Sequence, residues 1–426
     1  MAHSIRAGAV GQAQLADDAV TRNKIVDGTV DTADLAENAV TSGKIDDGAI
    51  LAGDVDSASF STMFWKADGN AGTTPGTHFL GTTDNQALEL RVNNQRALRV
   101  DPDGDSPRWA AGFAGNVASA TGAVVAGGGC PAIGFGKGPN QGLANFSMIG
   151  GGSSNVIQTG AGSGSIGGGE GNRIQANAQY AVIAGGRQNT IQSNAIHGAI
   201  AGGRLNTIQT NANSGAIGGG YNNMIEACAE YSAIAGGCHN MIESNAEYSA
   251  IAGGKANAIF NHSDFSFIGG GSTNIIFGVW SFIGGGETNA IGSSFSVIGG
   301  GTRNEIQGHA NGSIIVGGFG NIIEDGSGCS VIGGGGGNTI HAGSCVIAGG
   351  SQNQIQTNAG SCVIAGGSQN QIQTNADYSF IAGGEHNTIR EEAHHCFLAG
   401  RYAKSSLPGS FVWADAQDRD FGATTS

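Results

Sequence analysis

The sequence predicts an all-β protein, a parallel β-solenoid or β-roll of 15–17-residue coils, and three observations carry that prediction. Glycine supplies 78 of 426 residues while only 12% are charged and 6% aromatic, which is not the composition of an ordinary globular core. The excess has neither a Gly-X-Y period nor abundant proline, so it is not collagen, and 39% apolar content is too high for a disordered low-complexity tract. One phrase recurs, and a fixed period is the mark of a repeat architecture.

The phrase starts at Ile149. An Ile followed by Gly or Ala (Val316 after Ile315) and two glycines returns at Ile166, Ile183, Ile200, Ile217, Ile234, Ile251, Ile268, Ile283, Ile298, Ile315, Ile332, Ile347, Ile364 and Ile381, and the series closes at Leu398. The step is seventeen residues, or fifteen at three places. Six residues after each Ile stands an Asn, and two further on a second Ile. In one unit these are Ile183, Gly185, Gly186, Asn189 and Ile191; in another, Ile364, Gly366, Asn370 and Ile372. Alternation about both isoleucines has the period of a strand, and the glycines supply a bend where a side chain would clash or φ must be positive. Each unit is therefore one coil of two short strands closed by a variable polar bridge such as Gln192-Ser193-Asn194-Ala195, and the shorter units lose residues only from that bridge.

The columns assign faces. The residue before the first Ile is never charged, from Met148 and Val182 to Phe380 and Phe397. Alternation points it away from the Ile, so this strand is apolar on both sides, and a narrow coil buries only one of them. The second face calls for a partner chain, and a homotrimer with that face on the shared axis is the expected arrangement; a single-chain β-helix is expected to need longer strands and a broader core. The residue before the second Ile includes Arg173, Thr190, Glu305 and Gln354, which suits solvent or an interface rim. A repeated Asn reads as a stacked amide ladder or as a left-handed turn residue, both structural roles.

Outside the solenoid the chain divides further. Residues 1–59 carry an apolar residue at every fifth position, Val10, Leu15, Val20, Ile25 and onward to Val55, a spacing no α-helix has. So few apolar residues cannot make a monomeric core, and a slender oligomeric shaft is expected, with a pentapeptide-repeat solenoid as the alternative. Residues 60–109 form a small connector with a hairpin, Leu88–Val92 against Arg96–Val100, in which a three-residue turn sets Leu90 opposite Leu98 and Leu88 opposite Val100. Residues 110–148 read as irregular starter coils with Ile133 and Met148 inside, 149–400 as the solenoid, and 401–426 as a cap or tip.

The repeats of residues 149 to about 400 resemble the head domains of trimeric autotransporter adhesins, left-handed parallel β-rolls with a short Ile-Gly repeat, and also repeat-bearing phage tail-fibre proteins. The phrases Ala39-Val40-Thr41-Ser42-Gly43-Lys44-Ile45 and Asp46-Asp47-Gly48-Ala49-Ile50 resemble the decad repeats near the N-termini of tail fibres, and Gly409 to Asp415 the segment that follows such repeats, after which an intramolecular chaperone often comes. The resemblance implies a structural fibre, a spacer and host-surface adhesin. It implies baseplate or other particle proteins as partners at the N-terminus and a host glycan or protein at a receptor tip near Tyr402, Phe411 and Trp413.

Other functions have less support in the residues. The acids Glu170, Glu226, Glu243, Glu287 and Glu305 stand singly, unlike the paired carboxylates of a glycosidase, so no catalytic residue and no cofactor are expected. Glu391-Glu392 with His394-His395, and Cys228, Cys238 and His239, lack the spacing of a zinc motif, and no metal is expected. Cys345, Cys362 and Cys396 fill a column otherwise held by Ser, Gly or Ala and read as small buried residues without disulfides. A net charge of −14 argues against nucleic acid. Without an apolar leader or a membrane-length segment, the expectation is a virion or other particle assembled in the cytoplasm, with no membrane insertion. A processed cell-surface adhesin or extracellular filament subunit is the alternative.

Overall fold

The computed structural model describes residues 8–11, 13, 15–17, 19–51, 54, 69–131 and 137–414. They fall into two compact units, Met1–Gly81 and Thr82–Ser426. The second is the predicted parallel β-solenoid, about eighteen coils of mostly seventeen residues.

Two-residue strands, each ending on one of the repeated isoleucines, stack in parallel from coil to coil. Ile183 pairs with Ile166 and Ile200, and Ile191 with Ile174 and Ile208. Ile364 and Ile372 repeat the arrangement in their own coils. The first isoleucines build a sheet of 21 strands, counting the N-terminal hairpin, and the second a sheet of 18. Between them runs a third ladder of single parallel bridges, from Ser153–Glu170 to Glu385–Arg401. Fifteen-residue steps keep the register, as in Phe267 opposite Phe282.

One chain closes this core by itself, contrary to the expectation that longer strands and a broader core would be needed. Both isoleucine columns are 0–1% exposed. The reason lies in two columns that supply the missing walls. The bridge is not wholly polar surface, because Ala195 and its counterparts Ala178, Ala212, Ala229 and Ala246 point inward. The residue two before the first Ile, Ala181, Ser232 or Cys345, fills the last corner. Each buried isoleucine contributes roughly 1.5–3 kcal/mol.

The asparagines form a buried amide ladder. The Asn189 backbone N–H donates to Asn172 Oδ1 at 3.0 Å, and Asn189 Nδ2 donates to the carbonyls of Gly185 (3.1 Å) and Gly203 (3.0 Å). Asn370 repeats these bonds with Asn353, Gly366 and Gly384. The left-handed position belongs to the preceding residue, Gln188 at φ 55°. The ladder also begins two coils before the repeat, at Asn116 and Asn140. The two limbs of the expectation fall on different glycines. A Cβ on Gly186, at φ 90°, would stand 2.2 Å from the Gly203 carbonyl oxygen, whereas on Gly366 it would meet nothing within 4 Å but the backbone is at φ 147°; Gly185 has open space around its Cβ position.

The N-terminal edge of the first sheet is covered by three longer strands, β1 (Leu88–Val92), β2 (Gln95–Asp101) and β3 (Arg108–Ala111). The pairs Leu88–Val100 and Leu90–Leu98 form as the side-chain pattern predicts. The turn differs: Asn93 and Asn94, both at positive φ, make a two-residue loop, and a bulge after Leu90 reconciles it with the register. β2 pairs antiparallel with β3, and Trp109 of β3 pairs in parallel with Val124 of the next coil, so the hairpin continues the solenoid sheet. Val117–Ala118, Val124–Val125, Gln141–Gly142 and Met148–Ile149 already form parallel coil strands. Met148 points outward, 48% exposed, because it precedes the inward Ile149; Ala123, Val125 and Ala144 are buried apolar residues there. Ile133 lies outside the described residues, as do 60–68 of the connector and 415–426 of the C-terminal segment.

In the first unit the decads are chains of tight turns. Arg22–Lys24, Thr32–Asp34 and Ser42–Lys44 are single 3₁₀ turns ten residues apart. Further turns close between them, as in Thr29 N–H to the Val26 carbonyl (3.0 Å), which accounts for the five-residue spacing. Asp31 caps one turn, and Lys24 and Lys44 each donate to a carbonyl five residues back at 2.7 Å. These bonds are local, unlike the coil-to-coil ladder of a pentapeptide-repeat solenoid. The apolar residues Val10 to Ile50 of the five-residue series are 39–57% exposed within one chain.

Candidate binding surfaces

Three surfaces carry the residues a partner would meet. The outward column of the first sheet runs from Val124 through Met148, Val182, four alanines from Ala199 to Ala250, then Phe267, Phe282 and Ile314 to Phe411, without a charge. Its rings stack from coil to coil: Phe267 on Phe282 at 5.5 Å, Phe380 on Phe397 at 5.3 Å, and Phe397 on Phe411 at 5.0 Å. Phe411 and Trp413 alternate outward on the last strand of this sheet, both more than 70% exposed.

Beside that column, at the corner where the bridge returns, lies an aromatic ladder that the sequence reading missed. Tyr231, Tyr248, Phe265 and Trp280 stack at 4.9, 5.0 and 4.2 Å. All four sit at φ 54–56°, where bulky side chains are outliers. The bend is held by bonds between coils, Tyr248 N–H to the Glu230 carbonyl (2.9 Å) and Trp280 N–H to the Asp264 carbonyl (2.9 Å), and by the ring stacking itself. A signal was present, since each of these residues stands three before a key isoleucine.

The proposed tip residues are not one cluster. Tyr402 stacks on His386 at 4.9 Å in a different column, at the last coils of the second sheet. There it lines a groove of about 530 Å³ with Gln369, Gln371, His386, Thr388 and Lys404. Phe411 and Trp413 lie together on the first sheet.

The carboxylates are less scattered than their sequence positions suggest. Glu226 and Glu243 occupy the same outward column in adjacent coils, following the paired Ile225 and Ile242. Ser244 Oγ donates to Glu226 Oε2 at 3.1 Å, and the Asn261 N–H to Glu243 Oε2 at 3.3 Å. Burial, and secondarily the like charge of Glu226, raise the Glu243 carboxyl above its ordinary pKa, against the Asn261 hydrogen bond that lowers it. The folded state therefore holds that proton more tightly than the unfolded chain. Its stabilising effect is complete below the ordinary value of 4.5 and is lost as pH rises through the folded value. Glu243→Gln is expected to raise the melting temperature at neutral pH and to leave it unchanged well below pH 4.5; equal shifts at both pH values would refute the coupling.

Elsewhere Glu170 pairs with Arg187 at 3.6 Å, His394 Nδ1 lies 3.7 Å from Asp377 Oδ2, and His395 stacks on Tyr378. His239 packs edge-on against Tyr221 and bonds Asn222. Among the described residues no group of three or more His, Cys, Asp or Glu is placed to hold a metal ion, and no helix is long and apolar enough to cross a membrane. Cys345, Cys362 and Cys396 are buried in the column predicted for them, and all seven thiols are free. The adjacent Cys345 sulfur and burial push the Cys362 thiol up. Neither a family model nor a curated protein matches this chain.

Proposed function

We propose that this chain is a structural fibre protein, a homotrimeric spacer that carries adhesive surfaces on a phage tail or similar particle. The observation that carries the reading is the uncharged outward column of the first sheet, continuous over the solenoid and uncovered in a single chain. Eighteen coils at about 4.8 Å make a stripe roughly 80 Å long. With a width of about 10 Å that is on the order of 800 Å² per chain, the size of a standard stable interface. A partner that fits it everywhere must repeat at the same spacing, as a second copy does. The exposed apolar series of the N-terminal turns independently favours association, since those turns have no buried residue of their own among the described ones. Host glycans or proteins at the Tyr402 groove or the Phe411–Trp413 edge, and particle proteins at the N-terminus, belong to the same proposal. An enzymatic role is not part of it.

Sedimentation or light scattering of the purified protein, paired with a frictional ratio, tests the assembly. The expected species is elongated and three times the 42.4 kDa chain mass. A monomer at working concentrations would overturn the trimer and leave the apolar stripe without a partner.

A further inference from the structure

The second sheet carries a patch that the fibre reading does not use. Its outward column is polar over most of the solenoid, but over the central coils it reads Met224, Met241, Ala258 and Ile275, paired in successive coils. In the neighbouring outward column Phe260 and Phe277 stack at 4.1 Å, and Phe277 is 48% exposed. One and two coils before Phe260 in that same column stand Glu243 and Glu226; Glu230, Glu247 and Asp264 line the adjoining turn, and Glu305 continues the first column beyond Ala290. Residues 221–305 hold seven acids against two bases, Lys255 and Arg303, and the Arg303 guanidinium lies over the Phe319 ring.

We propose that this Met/Phe patch with its carboxylate frame is a docking site for a basic amphipathic segment of another polypeptide. Apolar anchors would lie on Met224, Met241, Ile275 and the two phenylalanines while flanking lysines or arginines meet the carboxylates. Methionine suits a surface that must adapt to its ligand. The patch spans four coils, about 14 Å, enough for roughly two to three turns of helix. A second copy docked patch to patch does not fit here, because it would set the same carboxylates against one another on a chain of net charge −14. The uncharged first-sheet face has no such conflict. The inference is therefore independent of the trimer, and either can fail without the other.

The test is fluorescence anisotropy on the full-length protein with a labelled leucine–lysine amphipathic peptide, and with the leucine–glutamate peptide of the same pattern as control. Saturable, salt-sensitive binding of the lysine peptide alone is expected, weakened about ten-fold or more by Phe277→Ser, the size of a hot-spot anchor. The pair Glu226→Gln and Glu243→Gln, which leaves the apolar packing intact, is expected to weaken it roughly three-fold or more and to flatten the salt dependence. Phe319→Ser, an exposed apolar residue on the ladder between the sheets, is expected to change nothing. Absence of binding, or equal losses from Phe277→Ser and Phe319→Ser, would overturn the proposal, the latter by showing adsorption anywhere on an acidic surface. A drop in particle mass caused by Phe277→Ser would overturn it in favour of self-association through this patch.

Discussion

Asn240→Ala is expected to destabilise the central coils by about 3–5 kcal/mol, through a loss that no neighbour can make good. The Asn240 amide is fully buried and donates to Asn223 Oδ1 (3.2 Å) and to the carbonyls of Gly236 (2.9 Å) and Gly254 (3.0 Å). Its oxygen accepts from the backbone N–H and the side-chain amide of Asn257, at 3.1 and 3.2 Å. Alanine leaves the Asn257 N–H and the Gly236 carbonyl facing an apolar gap, and an orphaned buried group costs about 1–3 kcal/mol. Removal of a neutral surface amide would cost a few tenths. Because each coil touches only its neighbours, the loss is local before it is global. Hydrogen exchange should therefore show faster opening of the amides around Ile225, Ile242 and Ile259 while coils at the ends keep their protection. Uniform protection, or a loss below about 1 kcal/mol in denaturant titration, would mean that the ladder is incidental to stability.

How much of this was legible in the sequence follows from what a column can and cannot say. Ile183 and Ile191 repeat without exception, and invariance at strand spacing can mean only the inside of a repeating coil. The amide ladder was one of two readings of the Asn column. The structure selects it because the turn needs its left-handed residue one position earlier, at Gln188, where the column varies from Ser154 and Gln188 to Arg303 and Tyr402. Variation hid that corner, since a left-handed position usually announces itself by glycine or asparagine. Here the stacked bonds between coils hold whatever residue stands there, even Trp280 at the neighbouring corner.

The inward alanines were missed for a related reason. Ala195 sits among Gln192, Ser193 and Asn194, and the run looks polar as a whole, yet Ala178, Ala195, Ala212, Ala229 and Ala246 recur every seventeen residues, a period that the sequence carries. That omission is why a single chain seemed too narrow to close. The Glu226–Glu243 pair was missed because seventeen residues of separation look like scatter along the chain, yet amount to one strand spacing across it. The apolar outward column was legible throughout.

Gly237→Ala should be about as damaging as the loss of the amide, about 2–5 kcal/mol, and it separates two explanations of the paired glycines. Gly237 sits at φ 88°, where an L-residue costs about 1–2 kcal/mol. Its Cβ would also stand 2.1 Å from the Gly254 carbonyl oxygen and 2.7 Å from Asn240 Nδ2, so the coil above must move or the ladder must break, adding about 1–3 kcal/mol of overpacking. Gly236, the residue before it, has open space around its Cβ position, and Gly236→Ala is expected to cost under about 1 kcal/mol in the chain's own fold. Yet the Gly236 column is as constant as its neighbour, from Gly151 through Gly185 to Gly383. Thermal unfolding of the two variants, read together with their masses in solution, decides what that constancy is for. A Gly237→Ala protein that melts like the parent would refute the steric account of the bend. A Gly236→Ala chain that keeps its own fold but loses mass would place Gly236 where a partner's backbone approaches; elsewhere in its column a positive φ, as at Gly253 (156°), Gly366 (147°) and Gly383 (133°), already favours glycine within one chain.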